Sequence, residues 1–267
     1  MPAEASPSRG SSTAVAPAAS GRPVIEIRDL TKSFGDNLVL KGVNLTVTEG
    51  STTVILGGSG SGKTVLMKHM IGLLRPDSGE VIIEGERFDN LPEQARQVVR
   101  RKFGMVFQQA ALFDSMTIFD NVAFPLREHT DYRENQLREI VFQKLDQVGL
   151  RSKADNYPDE LSGGQRKRIG LARALALDPK IVLYDEPTTG LDPITTDNVD
   201  QMVIDAKREY GVTSVIISHD IGSAFKIADH LAVLYQGVIL ADGPPEVVRR
   251  SQDPFIQKFF ALWFERA

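Results

Sequence analysis

The stretch that decides the fold is TTVILGGSGSGKT, residues 52–64, in which an apolar run is followed by a glycine-rich loop. The run TTVIL (52–56) predicts a buried strand, and a helix is expected from about Lys63 to Leu73. The loop GGSGSGKT (57–64) matches the pattern G-x-x-x-x-G-K-[ST], which requires a strand before it and a helix after it. The stretch therefore predicts an α/β fold centred on a phosphate-binding loop.

The residue types in this loop suit the binding of a nucleotide. Small residues let the backbone wrap closely around phosphate oxygens, and successive N–H groups and the helix N-terminus attract anions. Lys63 is expected to reach the β- and γ-phosphates, and the Thr64 hydroxyl is expected to ligate Mg²⁺. The nucleotide-binding residues predicted here are Gly57, Gly58, Ser59, Gly60, Ser61, Gly62, Lys63 and Thr64.

Two continuous apolar runs, KIVLYDE (180–186) and TSVIISHD (213–220), are typical of central strands in a parallel sheet that is buried on both faces. A crossover helix is predicted between them, over 193–210, with Gly211 at its end. Asp131 and Glu134 resemble a capping box at the start of a further helix. The other predicted elements are strands at 24–34, 37–48, 80–86 and 103–108, a helical region over about 117–176, and a closing hairpin at 230–243.

Composition narrows the classes of protein that the chain can belong to. The 267 residues are 42% hydrophobic and 25% charged, with a net charge of −4, as expected for a globular protein without a general affinity for nucleic acid. There are no cysteines, which excludes disulfides, thiol nucleophiles and thiolate zinc sites. No apolar run reaches 18 residues, so no transmembrane helix is expected. The basic segments at 97–102 and 165–168 are interpreted as solvated charged faces, and no nucleic-acid partner is expected.

The two ends of the chain differ from its middle. Residues 1–22 are mostly Ala, Ser, Pro and Gly, which predicts a disordered tail without the apolar segment of a signal peptide. The main domain is expected over 23–250, with its helical part at about 109–176, and a C-terminal amphipathic helix over 251–267. That helix either caps its own domain or packs on a second copy or another subunit. Its apolar stripe consists of Phe255, Ile256, Phe259, Phe260 and Trp263.

Two further motifs add chemistry to the phosphate loop. Asp185 and Glu186 end a buried strand, where carboxylates are costly unless they bind a metal or are paired. Asp185 suits a Mg²⁺ ligand, and Glu186 suits a general base acting on water. The segment LSGGQ (161–165) places Ser162 as the N-cap of a helix with bare N–H groups, which predicts a second phosphate-binding surface and hence a composite site.

In this order the motifs resemble those of the ATP-binding-cassette (ABC) ATPases, over about residues 24–245. The resemblance implies a RecA-like P-loop core with an N-terminal antiparallel β subdomain and a helical subdomain. It assigns adenine stacking to Phe34, where Tyr is more usual, and γ-phosphate and Mg²⁺ sensing to Gln108. It places Asp192 in the D-loop and makes His219 the switch histidine.

The resemblance also implies how such a site works. Two copies pair head to tail, and each ATP lies between the phosphate loop of one copy and the signature residues of the other. Those signature residues are Ser162, Gly163, Gly164 and Gln165. Glu186 and His219 orient the attacking water, Lys63 and Gln108 contact the γ-phosphate, and loss of that phosphate opens the dimer.

A narrower resemblance concerns the segment QQAALFDSMTIFDNVAFPLREHT (108–130), which is similar to the ATPases of Mla-type phospholipid transporters that work with MCE proteins. It implies a peripheral position on the cytoplasmic face of a bacterial inner membrane. The implied partners are an Mla-type permease, an MCE-domain protein and a small STAS-domain protein. The alternatives are the ATPase of a small-solute importer and a soluble ABC ATPase; a P-loop kinase would leave LSGGQ without a purpose.

Overall fold

The structure is a computed structural model that describes residues 21–264, with side chains up to Ala261. The predicted tail therefore lies almost wholly outside the described residues, as does the side chain of Trp263. Among helices within 21–264, none is both long and apolar enough to cross a membrane.

The described chain alternates strands and helices. The strands are β1 (Pro23–Phe34), β2 (Asn37–Thr48), β3 (Thr52–Leu56), β4 (Ser78–Ile83), β5 (Glu86–Arg87), β6 (Phe103–Val106), β7 (Ile181–Asp185), β8 (Thr213–Ser218), β9 (His230–Tyr235) and β10 (Val238–Gly243). The helices are α1 (Lys63–Met70), α2 (Glu93–Arg100), α3 (Ile118–His129), α4 (Glu134–Gln147), α5 (Gly163–Ala174), α6 (Pro193–Tyr210), α7 (Ile221–Ile227), α8 (Pro245–Arg249) and α9 (Pro254–Phe264).

The central sheet positions the site. Its order is β10-β9-β3-β8-β7-β6, and every neighbouring pair is parallel except β9 with the terminal strand β10. All residues of β3 and β8 are buried, as the continuous apolar runs predicted. Because parallel strands end at one edge of a sheet, the loops after β3, β8, β7 and β6 lie side by side there.

A second sheet, antiparallel and in the order β2-β1-β4-β5, packs beside the first and corresponds to the expected N-terminal β subdomain. The two sheets share one buried hydrophobic cluster. Glu84, just after β4, joins them through ion pairs with Lys102 and Lys180, which precede β6 and β7. These two lysines lower the pKa of Glu84 to about 2, chiefly by hydrogen bonding to its carboxylate.

The helical part predicted at 109–176 consists of α3, α4 and α5, joined in part by single 3₁₀ turns. These helices enclose a hydrophobic cluster of their own, separate from the two clusters of the central sheet. Asn121 in α3 is fully buried and fastens the preceding loop: its Oδ1 accepts from the Phe113 N–H at 2.8 Å, and its amide donates to the carbonyls of Phe113, Met116 and Thr117. The segment that leads from the sheet into the helices is thereby held in one conformation.

Several sequence predictions are confirmed and others need correction. The crossover helix over 193–210 is confirmed, with Gly211 at its end in the left-handed conformation (φ 63°). Helix α1 ends at Met70 rather than Leu73, because Gly72 is also left-handed and packs against the Phe88 ring. The capping box at Asp131 and Glu134 was wrong: α4 begins only at Glu134, and Gln136 Oε1 accepts the Arg133 N–H at 3.0 Å.

The C-terminal helix α9 packs on its own domain. Ile256 is fully buried and Phe260 is 4% exposed, both in the cluster that covers one face of the central sheet. Phe255 stacks on Tyr235 of β9 with ring centroids 3.7 Å apart, and Phe260 meets the edge of Phe225 in α7 at 5.3 Å. The interpretation that the helix caps its own domain is therefore confirmed for Phe255, Ile256 and Phe260. Contact of the helix with a second copy or another subunit stays a prediction.

Candidate nucleotide-binding site

The phosphate loop lies between β3 and α1, and its glycines are required by close packing. A Cβ atom on Gly57 would lie 2.4 Å from the Leu234 carbonyl oxygen of β9. Gly62 has φ 107°, and a Cβ there would lie 2.8 Å from Leu40 Cδ2 in β2. Helix α1 has neither a side-chain cap nor an acidic residue in its first turn, so its positive end is available to an anion.

Lys63 extends back along the loop. Its side chain is 5% exposed, and its Nζ donates to the Gly57 carbonyl at 2.7 Å and to the Gly58 carbonyl at 3.1 Å. The same Nζ lies 3.4 Å from Glu186 Oε1, after β7. The structure thus brings together the predicted phosphate ligand and the predicted general base.

Glu186 is the centre of a small polar network. Its Oε2 accepts from the Thr189 hydroxyl at 2.9 Å and lies 3.1 Å from Nδ1 of His219, the residue that follows β8. Its backbone is left-handed at φ 47°, which for a glutamate is a strained conformation typical of functional sites. Burial raises its pKa, but the Thr189 hydrogen bond and the charges of Lys63 and His219 outweigh this, and the pKa is lowered. Glu186 is therefore ionised at neutral pH, as a base must be.

Asp185 fits a divalent cation. Burial is the main reason that its pKa is raised, and the charge of Glu186 adds to the effect. No described residue donates a hydrogen bond to its carboxylate, although the site beside Lys63 is half-buried. Mg²⁺ prefers oxygen ligands and keeps several waters, so this carboxylate, the exposed Thr64 hydroxyl and a phosphate suit it. Among the described side chains of 21–261, no cluster of three or more His, Cys, Asp or Glu suits a metal.

Gln108 and Phe34 lie outside the phosphate loop, Gln108 after β6 of the central sheet and Phe34 at the end of β1 in the second sheet. Gln108 is exposed just after β6, the neighbour of β7, and so lies along the same sheet edge as Asp185. Phe34 ends β1 and is 48% exposed, with Lys32 Nζ 5.6 Å from its ring centroid. Roles in γ-phosphate sensing and adenine stacking stay predictions for these two residues.

The signature residues form a second exposed helix start. Ser162 caps α5: its Oγ accepts from the Gln165 N–H at 3.3 Å, and Gln165 Oε1 accepts from the Ser162 N–H at 3.0 Å. Gly164 packs closely on α6, since a Cβ there would lie 2.9 Å from Thr195 Cγ2, whereas a Cβ on Gly163 would have no neighbour nearer than Arg166 at 4.0 Å. In the described part of the chain, no hydrogen bond or ion pair joins residues 162–165 to the phosphate loop. The two predicted phosphate-binding surfaces are thus not brought together within one copy.

Asp192 is placed at the N-terminus of α6. Its Oδ1 accepts from the N–H groups of Ile194 and Thr195, both at 3.0 Å. The Thr195 hydroxyl also donates to its Oδ2, which is the main reason that the pKa of Asp192 is lowered. The predicted D-loop residue is therefore a helix cap beside the signature glycines.

Sequence reasoning missed two residues of the site, and it interpreted two basic segments as solvated although each contains a side chain that binds backbone carbonyls. Thr189, which donates to Glu186, was not singled out. Lys167 was part of a segment interpreted as a solvated face, yet it is 7% exposed and its Nζ donates to the carbonyls of Pro187 and Thr189. In the other basic segment, Arg100 donates to the Ile71 and Gly72 carbonyls instead of facing only solvent.

This parallel sheet, with a lysine-bearing phosphate loop after β3 and acidic residues after β7, defines the class of P-loop nucleotide-binding proteins. The family model described as ABC transporter matches residues 40–189. The chain therefore belongs to the ABC transporter family, as its motifs predicted.

Curated relatives and solved structures agree with this assignment. The "Probable ribonucleotide transport ATP-binding protein mkl" of Mycobacterium tuberculosis is 44% identical over 88% of this chain, which spans 66% of that protein's length. The "Intermembrane phospholipid transport system ATP-binding protein MlaF" of Haemophilus influenzae is 41% identical. The match covers 88% of this chain and 89% of the length of that protein. The solved structure of cbiO1 from Clostridium perfringens covers 90% of this chain and 99% of its own, with 28% identity and a TM-score of 0.79. A dimeric structure of the ATP-binding cassette MJ0796 bound to ADP and Pi covers 83% of this chain and 98% of its own chain. The sequences are 32% identical, and the TM-score is 0.75.

Proposed function

We propose that this chain is the ATP-hydrolysing subunit of an ABC transporter that moves phospholipid between membranes. The observation that carries the enzymatic part is the linked arrangement of Lys63, Glu186 and His219 at one sheet edge. The lipid part is supported by the MlaF relatives, which match along nearly 90% of both chains.

Each residue of the site has a distinct task in ATP hydrolysis. Lys63 and the loop N–H groups bind the phosphates. Glu186 accepts a proton from the attacking water, and His219 beside it orients that water and the γ-phosphate. Asp185, Thr64 and Gln108 would hold Mg²⁺, which neutralises charge on the phosphates when it is bound.

The complete site requires a second copy. Ser162 and its neighbours present an open helix start that does not reach the phosphate loop of its own chain. In a head-to-tail pair, the start of α5 in one copy would contact the γ-phosphate bound by the phosphate loop of the other copy. The dimer would then be isologous. The solved cassette dimer with ADP and Pi supports such an arrangement.

The other proposed partners follow from the lipid function. An Mla-type permease would hold the chain at the cytoplasmic face of the inner membrane, an MCE-domain protein would carry the lipid, and a STAS-domain protein would bind the ATPase. A second candidate function is ribonucleotide transport, which is favoured by the name of the mycobacterial relatives.

One purification separates these functions. Tagged Glu186→Gln protein is recovered from detergent-solubilised membranes with ATP and Mg²⁺, and the proteins and lipids that accompany it are identified by mass spectrometry. Co-purification of an MCE protein, its permease and phospholipid is expected. A solute permease with a ribonucleotide-binding protein would establish the second candidate, and the absence of any permease would contradict both.

Nucleotide binding is tested separately with Lys63→Ala. Removal of the ammonium that the loop holds against Gly57 and Gly58 is expected to abolish binding of labelled ATP. Lys258→Ala is the control, because Lys258 is an exposed lysine on α9. Undiminished binding by Lys63→Ala would refute the proposed role of the loop.

A further inference from the structure

Helix α5, which begins with the signature residues, carries a buried lysine. Lys167 lies two residues after Gln165, and its Nζ donates to the backbone carbonyls of Pro187 and Thr189, the latter at 3.2 Å. No described carboxylate lies within ion-pair distance of it. Burial of an ammonium costs free energy, and here it lowers the pKa of Lys167. Two carbonyl oxygens alone hold this charge in place.

The segment that Lys167 holds continues directly from Glu186. The backbone of Glu186 is fixed by its own N–H, which donates to the Ile217 carbonyl of β8 at 2.9 Å. Its carboxylate is held by the Thr189 hydroxyl, and the Thr189 carbonyl is the acceptor for Lys167. A shift of Lys167 therefore reaches the Glu186 carboxylate through a single residue, Thr189.

Helix α5 begins about one turn before Lys167, at the exposed start capped by Ser162. Under the proposed function this start binds the nucleotide held by the second copy. Glu186, in contrast, acts on the nucleotide held by its own phosphate loop, through its proximity to Lys63. Lys167 consequently lies between the contact with one nucleotide and the base that serves the other.

We propose that Lys167 is a positioning residue that couples the two nucleotide sites of the dimer. When α5 binds the nucleotide on the second copy, Lys167 sets the segment 187–189, and Thr189 aligns the Glu186 carboxylate with its water. The inference rests on the proposed function, because it needs both ATP hydrolysis and the head-to-tail pair.

The test compares Lys167→Met with Lys144→Met. Lys144 is a matched control, since it is 5% exposed, lies in the same group of helices and pairs with Asp178 at 2.6 Å, away from Glu186. Methionine fills a similar volume without the charge. Lys167→Met is expected to lower kcat about 10- to 100-fold, as mispositioned catalytic groups do, with KM for ATP changed less than about threefold. Lys144→Met is expected to leave both unchanged.

A double-mutant cycle tests the route through Thr189. Thr189→Val keeps the carbonyl that accepts from Lys167 and removes the hydroxyl that donates to Glu186. If Lys167 acts through this hydroxyl, the double variant loses no more kcat than the worse single variant. Fold losses that multiply would overturn the inference. Lys167→Arg, which keeps donors for both carbonyls, is expected to recover much of the activity.

The outcomes distinguish the inference from the function beneath it. Wild-type kcat in Lys167→Met, or an equal loss in Lys144→Met, overturns the inference while the ATPase activity stands. A wild-type chain without ATPase activity, or a fully active Glu186→Gln variant, overturns the proposed function and the inference together. Thermal unfolding confirms that each variant is folded; if Lys167→Met is not, Lys167→Gln and Thr189→Val are measured in its place.

Discussion

Replacing Glu186 with glutamine removes one charge and almost no volume. The amide oxygen can still accept from the Thr189 hydroxyl, now 2.9 Å away, but it can neither take a proton from water nor pair with Lys63. General bases contribute about 10²- to 10⁴-fold to a rate. At about 1.4 kcal/mol for each factor of ten, Glu186→Gln is expected to raise the barrier by about 3–6 kcal/mol.

ATP binding is expected to survive this substitution. Lys63 keeps its two carbonyl partners, Gly57 and Gly58, so the loop conformation does not depend on the Glu186 charge. The dissociation constant for ATP should change less than about threefold, while hydrolysis slows and the ATP-bound dimer accumulates.

The measurements are phosphate release at saturating ATP and Mg²⁺, equilibrium binding of labelled ATP, and the molar mass of the ATP-bound protein in solution. Glu209→Gln is the control, because Glu209 is exposed at the far end of α6. A kcat within twofold of wild type would refute the role of Glu186 as base. Equal losses of binding and turnover would show that its main task is instead to hold the loop.

Three further substitutions test the packing of the phosphate loop and two contacts that stabilise the fold. Gly57→Ala is expected to weaken ATP binding at least tenfold, because its Cβ would collide with the Leu234 carbonyl. Phe260→Ala should lower the free energy of unfolding by about 3–5 kcal/mol, measured by denaturant titration, because Phe260 is 4% exposed. Glu84→Gln should lower it by about 1 kcal/mol at pH 7. Since folding lowers the pKa of Glu84 from 4.5 to about 2, this difference should persist above pH 4.5 and shrink as the pH falls toward 2.

Each of these expectations has a clear counter-result. An ATP affinity of Gly57→Ala equal to that of the wild type would mean that the loop shifts to accept a side chain. A loss under about 1 kcal/mol in Phe260→Ala would mean that α9 is not part of the core. A Glu84→Gln difference that does not vary between pH 5 and pH 2 would mean that the charge of Glu84 is not what stabilises the fold.

The phosphate loop and its neighbours could be predicted because their sequence signals are local. Gly57 and Gly62 belong to a motif of eight consecutive residues, and the segments 180–186 and 213–220 each contain a continuous apolar run because both faces of their strands are buried. Such features leave a pattern in a few consecutive residues. The resemblance to a family then shows that these patterns occur in the expected order along the chain.

The contacts of Lys167 and Thr189 could not be predicted in this way. A lysine within a basic run has the same sequence neighbours whether its side chain is solvated or buried. Only the packing of α5 against the segment 187–189 determines that Lys167 is buried. The helices α2, α7 and α8 were missed because, at eight, seven and five residues, they are too short to set a clear helical period.

The strand order of the central sheet has a consequence for synthesis of the chain on the ribosome. Strand β3, which carries the phosphate loop, pairs only with β8 and β9, and both come from the last quarter of the sequence. The nascent loop therefore emerges long before the Leu234 carbonyl against which Gly57 packs. Pairing of such sequence-distant strands is intrinsically slow. Nucleotide binding should thus be acquired in one late step, and a polypeptide released before β9 should have no partial affinity.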